Sequence, residues 1–118
     1  MINENHHYPF VPTSISYYPR ISEIMKVKLC VKHDDLFQKA GGGNKARKLQ
    51  YILKKAEKEG HDAIVTAGGG QSNHVRAAAI MCAHLGWKSL MIIHSEKPSN
   101  SVYTGNLKLV NLSGSDIR

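Results

Sequence analysis

Long apolar runs are missing from this 118-residue sequence. The longest, Ala77 to Ala83, falls far short of the roughly 20 residues that a membrane-spanning helix needs. The opening stretch, Met1 to Pro12, lacks the charged start and apolar segment of a secretory signal, and carries His6, His7 and two prolines instead. These absences predict a cytoplasmic protein with no membrane partner. Cysteine is scarce as well. Cys30 and Cys82 stand far apart in apolar surroundings at no metal-ligand spacing, which predicts two buried, reduced thiols and no metal site. The histidines His6, His7, His33, His61, His84 and His94 show no H-x-x-x-H pattern and read as surface or packing residues. Acidic residues are in deficit, 9 against 16 Lys and Arg, for a formal charge of +7. Such a balance suggests a polyanionic partner only where the cations cluster. Here they are scattered, and the densest stretch, Lys45 to Lys58, includes Glu57 and reads as one helix, so no nucleic-acid partner is expected.

What is present suits one core. A hydrophobic fraction of 42% is enough for a single domain, and the length leaves no room for two full ones. Pro9, Pro12 and Pro19 break the first twenty residues, so residues 1–26 are expected to form an extended arm and residues 27–118 the α/β domain. Val27 to Val31 alternates like a half-buried strand. Gly41-Gly42-Gly43 is a flexible turn, Asn44 stands at an N-cap position, and Leu49, Ile52, Leu53 and Ala56 follow at helical spacing up to Gly60. Ala63 to Val65, an Ala-rich helix from about Asn73 to Leu85, and Leu90 to Ile93 make a parallel βαβ unit. Pro98 and Asn100 open a loop, Gly105 to Leu112 reads as a helix, and Asp116 to Arg118 as the start of a further strand. A parallel sheet needs cover on both faces, and these residues supply no second layer for it. There is no internal repeat and no low-complexity segment.

Two places carry chemistry. At 100° per residue, Lys45 projects into the middle of the stripe formed by Leu49, Ile52, Leu53 and Ala56, whereas Arg47 and Lys54 point the other way. A lysine there is either a desolvated amine poised as a nucleophile or a snorkelling side chain at a frayed helix end. The second place is Gly68-Gly69-Gly70-Gln71-Ser72-Asn73-His74, between a strand and a helix start, where open α/β sheets bind ligands. The same residues also suit a plain turn with Ser72 or Asn73 as its cap. A dinucleotide fingerprint would match Gly68 and Gly70 but needs glycine where Asn73 stands, with Glu96 only a loose ribose acid. Around Lys45 a phosphate-binding P-loop lacks its Gly-Lys step and the Ser or Thr after it.

Taken in order, Lys32-His33-Asp34-Asp35-Leu36, Gly42-Gly43-Asn44-Lys45-Ala46-Arg47-Lys48-Leu49 and Thr66 to His74 resemble the D-cysteine desulfhydrase and 1-aminocyclopropane-1-carboxylate deaminase family. Pro12-Thr13, Tyr18-Pro19-Arg20 and Gly105-Asn106-Leu107 extend the likeness to the last residue. The resemblance implies the tryptophan synthase β-like fold of pyridoxal phosphate (PLP) enzymes, fold type II, here incomplete. It implies that Lys45 carries PLP covalently and moves protons at the substrate α-carbon, and that Asn73 hydrogen-bonds the PLP 3′-oxygen. It makes Ser72 a catalytic or carboxylate-holding hydroxyl, and Gln71, Ser72, Asn73 and His74 the substrate-facing turn. His74 is similar to the desulfhydrase branch, since the deaminase branch tends to have glutamine there. His33-Asp34 departs mildly from the family's Arg-Asp or Arg-Glu. The implied activity is deamination or β-elimination of a small amino acid, in a homodimer when complete. The family's glycine-rich phosphate cradle lies in its later part, so the 118 residues alone are expected to be inactive; the alternative is a silent piece serving only in binding or assembly.

Overall fold

A computed structural model describes residues 12–94 and 103–118. The first part of the expected arm, with His6, His7 and Pro9, and the loop with Glu96, Pro98 and Asn100 lie outside the described residues. Strand β1 (Ile15–Tyr17) pairs antiparallel with β2 (Cys30–Lys32), Ile15 opposite Lys32 and Tyr17 opposite Cys30. Helix α1 (Pro19–Met25) joins them. Pro19 suits its first turn, because an N–H there has no helical acceptor and the fixed φ is already helical. Residues 15–25 therefore hold one strand of this ribbon and a helix, where an extended arm was expected. Strand β2 starts three residues after Val27 and is exposed throughout, not half-buried. A two-stranded ribbon has no layer above it to bury alternate side chains. For the same reason Cys30 is exposed, correcting the expectation of a buried thiol, while Cys82 is buried.

The larger unit is a parallel sheet in the order β3 (Ala63–Gly68), β4 (Lys88–Ile93) and β5 (Asp116–Ile117). Helix α2 (Gly43–Lys58) precedes β3, α3 (Asn73–Leu85) links β3 to β4, and α4 (Gly105–Leu112) leads into β5. The bounds of α3 and α4 fall where the sequence predicts them. Both long strands exceed their apolar runs, because pairing Ala63 with Lys88 through Gly68 with Ile93 recruits the polar Thr66 and Ser89 into the ladder. Helix α3 packs on β3 and β4 and between α2 and α4. Its Ala77, Ala78, Ala79, Met81 and Cys82 join Leu49 and Leu53 of α2, Met91 of β4, and Leu107 and Val110 of α4 in one core. Burying a side chain such as Leu49 or Leu53 contributes about 1.5–3 kcal/mol. The opposite sheet face is bare among the described residues, leaving Val65 and Ile92 exposed, as expected of a parallel sheet without its second layer.

Helix α2 departs from its expected form at two points. It starts at Gly43, with Gly42 and not Asn44 as its cap. Gly42 has φ 76° and ψ −171°, a conformation essentially confined to glycine, and a Cβ there would lie 2.7 Å from the carbonyl oxygen of Asp35. The buried face of α2 is Ala46, Leu49, Gln50 and Leu53, while Ile52 is 54% exposed. The stripe is rotated because α2 packs on α3 and on the short 3-10 turn Asp34–Leu36, and not on the sheet. Lys45 consequently sits half-buried at the edge of that stripe, not in its middle. Arg47 is held by the same turn: its Nε donates to Asp34 Oδ1 at 2.6 Å and its guanidinium stacks 4.8 Å from the Phe37 ring.

The contrast between the two cysteines is measurable. Burial pushes the Cys82 thiol up to about 11, which removes the reactive thiolate at neutral pH. A maleimide reagent should label Cys30 at once and Cys82 only after denaturant is added. Comparable labelling rates in the native chain would contradict the buried position of Cys82.

Candidate active site

The first turns of α2 and α3 meet at a cleft of about 260 Å³. It is lined by Asp35, Gly41, Gly42, Gly43, Asn44, Lys45, Asn73 and Arg76. Lys45 is the third residue of α2 and Asn73 the first of α3, so both stand where backbone N–H groups have no helical acceptor and the helix dipole is positive. With Lys45 and Arg76 added, the cleft favours an anion, and Asp35 is the one carboxylate in its lining among the described residues. A larger hollow of about 650 Å³, lined by Tyr17, Tyr18, Pro19 and residues of β2's approach, lies apart from both helix starts. Among the described residues no group of three His, Cys, Asp or Glu could hold a metal ion, and no helix is long and apolar enough to cross a membrane.

The cleft gathers Lys45 and Asn73, while the other residues singled out in the sequence surround it with separate tasks. Ser72 caps α3, its Oγ accepting from Val75 N–H at 3.3 Å. Gln71 is held at both ends of its amide: Nε2 donates to the Thr104 carbonyl at 3.1 Å and Oε1 accepts from Asn106 N–H at 2.9 Å. His74 turns to β3, its Nε2 lying 2.9 Å from Thr66 Oγ1. Partial burial, followed by the charge of Lys45, holds the His74 imidazole below its ordinary range.

Two participants have no functional reading from the sequence. Arg76 donates to Asn106 Oδ1 and to the Gly41 carbonyl, both at 3.3 Å, tying α3 to α4 and to the glycine turn. Its position one turn after Asn73 on the same helix was the available signal. Asn106 donates to the Gln71 carbonyl at 2.8 Å and to Asn73 Oδ1 at 3.0 Å. Only the Gly-Asn pair at the start of α4 hinted at it. Gly105 has φ 53°, and a Cβ on it would strike Gln71 Oε1, so this contact also needs glycine.

The lowered His74 value has a sign that can be checked. In the unfolded chain His74 takes up its proton near the usual 6.5, and in the folded chain only at lower pH. Stability is therefore lost as pH falls from the ordinary value towards the lowered one. Urea unfolding from about pH 7.5 to 5 should show a smaller loss for His74→Gln than for the wild-type chain. Equal pH slopes would mean that His74 is not desolvated.

Comparison with known proteins agrees with this architecture. The family described as pyridoxal-phosphate dependent enzyme matches residues 8–118. A Thermotoga maritima protein provisionally named as a 1-aminocyclopropane-1-carboxylate deaminase is 40% identical over 106 residues, covering 90% of this chain and 33% of that protein. A D-cysteine desulfhydrase of Salmonella paratyphi B is 37% identical over 109 residues, covering 90% and 33%. The crystal structure of an ACC deaminase homologue superposes with a TM-score of 0.74 at 31% identity, covering 92% of this chain and 32% of the other. An L-serine ammonia-lyase of Rhizomucor miehei shares the fold, with a TM-score of 0.63 at 16% identity, covering 92% and 32%. The chain thus spans about a third of the length of the curated relatives it matches, and holds part of their α/β fold. With the match running through both helix starts and all five strands, the chain belongs to the pyridoxal-phosphate dependent enzyme family.

Proposed function

We propose that this chain is the lysine-bearing part of an enzyme that removes the amino group of a small amino acid with a leaving group on its β-carbon. The observation that supports this most is the shared cleft of Lys45 and Asn73 at two helix starts. Its donor set suits PLP: one amine for an aldehyde carbon, one side-chain amide, and positive helix ends for an anion. PLP, when bound, supplies an electron sink for charge developing at the substrate α-carbon.

The chain's own groups would act around that sink. Lys45 would hold the cofactor through its amine, and the same amine would be the base that takes and returns the α-carbon proton. Asn73 offers an amide N–H to the 3′-oxygen. Ser72, whose oxygen already accepts from Val75, keeps its O–H proton for a substrate carboxylate. Gln71 serves by fixing the turn, since both ends of its amide are engaged. His74, kept uncharged, avoids a second positive charge beside Lys45. The products are ammonia and a 2-oxo acid, with hydrogen sulfide when the substrate is cysteine. A second reading, a piece that acts only in assembly, draws on the bare sheet face with Val65 and Ile92. Adding PLP separates the two, since an assembly piece would give no lysine-dependent absorbance band.

Borohydride reduction in the presence of PLP should attach the label to Lys45 alone. Peptide mapping that placed it on Lys48, or spread it over Lys54, Lys55 and Lys58, would sink the assignment. In a protein joining this chain to the rest of the family fold, Lys45→Ala should abolish turnover. The same protein should show a higher kcat/KM for D-cysteine than for 1-aminocyclopropane-1-carboxylate. Identities of 40% and 37% to the two kinds of relative do not separate these substrates, so this expectation rests on His74. A clear preference for the cyclopropane acid would reverse it.

A further inference from the structure

The polarity of the Asn73 amide is settled by its neighbours. An amide oxygen and nitrogen are interchangeable in shape, so only the hydrogen-bond network says which is which. Asn106 lies between two groups that admit one answer each. The Gln71 carbonyl, 2.8 Å from one end of the Asn106 amide, can only accept, so that end is the nitrogen. An Arg76 nitrogen, 3.3 Å from the other end, can only donate, so that end is the oxygen. The second proton of Asn106 Nδ2 then points to Asn73, 3.0 Å away, whose facing atom must be its oxygen. What remains of the Asn73 amide is its NH2 group, and Asn73 lines the cleft beside Lys45.

We propose that Asn106 is a positioning residue that fixes Asn73 with its NH2 group towards the cleft, so that the cleft selects an occupant bearing an oxyanion next to the group Lys45 holds. The proposal rests on the PLP reading above for the identity of that oxyanion, the 3′-oxygen. Its physical core does not. Asn106→Asp turns residue 106 into an acceptor: it loses its bond to the Gln71 carbonyl and turns from it, keeps Arg76 as a donor, and the Asn73 amide turns over to donate to it, so that an oxygen faces the cleft. Asn106 is the second residue of α4, where an acidic side chain agrees with the helix dipole, so this variant is expected to fold.

Two measurements on the isotope-labelled 118-residue chain decide the matter. In the ligand-free chain, the side-chain amide protons of Asn106 should exchange slowly and those of Asn73 fast. In Asn106→Asp, the Asn73 amide resonances should shift and its protons become protected. If the Asn73 amide does not respond, the proposal is wrong. The second measurement is absorbance titration with PLP and with its analogue lacking the 3-hydroxyl. Asn106→Asp should weaken PLP about tenfold more than the analogue, since the new charge acts on both ligands and only PLP loses a hydrogen bond to a charged oxygen. Equal weakening of both ligands would overturn the link to the 3′-oxygen. Should the wild-type chain show no PLP-dependent band, the cofactor reading falls for this chain, and the exchange measurement still decides what Asn106 does.

Discussion

Everything in this structure leans on the close packing of α3. Three consecutive alanines, Ala77, Ala78 and Ala79, are fully buried, so the helix backbone can approach β3 and β4 on one side and α2 and α4 on its flanks. A larger side chain there would push those elements apart, because a packed interior tolerates little added volume. The helix is also fixed at its start, where Ser72 caps it within a few residues of the last paired position of β3. Asn73 thereby inherits its place from the core. Lys45 and Asn106 come to the same neighbourhood on helices that dock against the same α3.

How much of this could be read from residues alone depends on how local the cause was. Helices α3 and α4 were legible because each has an apolar rhythm ended by a glycine, Gly86 and Gly114, and the parallel sheet followed from short apolar runs set between them. The ribbon of β1 with β2 was not legible, because pairing Ile15 with Lys32 leaves little trace in either strand's own pattern. The face of α2 was misjudged by part of a turn. Periodicity finds an apolar stripe but not which neighbour will cover it, and Ile52 stays exposed because α3 covers only the side of Ala46 and Gln50.

The site divides along the same line. Lys45 and Asn73 could be singled out from their motifs and their helix-start positions. Arg76 and Asn106 could not, since what they do depends on partners far along the chain. The tasks of Gln71, Ser72 and His74 also became specific only in three dimensions: Gln71 to hold the start of α4, Ser72 to cap, and His74 to meet Thr66.

The hydrogen bonds around Asn106 carry a consequence for how the chain folds. Asn106 meets Asn73 across 33 residues of sequence, and Arg76 meets Gly41 across 35. Contacts of such separation form only after the loop-closure entropy of the intervening chain has been overcome. The pairing of β3 with β4 also spans 25 residues, so these closures cost nearly the same. On the proposed reading, a chain that had collapsed without seating α4 would keep Lys45 on α2 but leave the Asn73 amide free to turn either way.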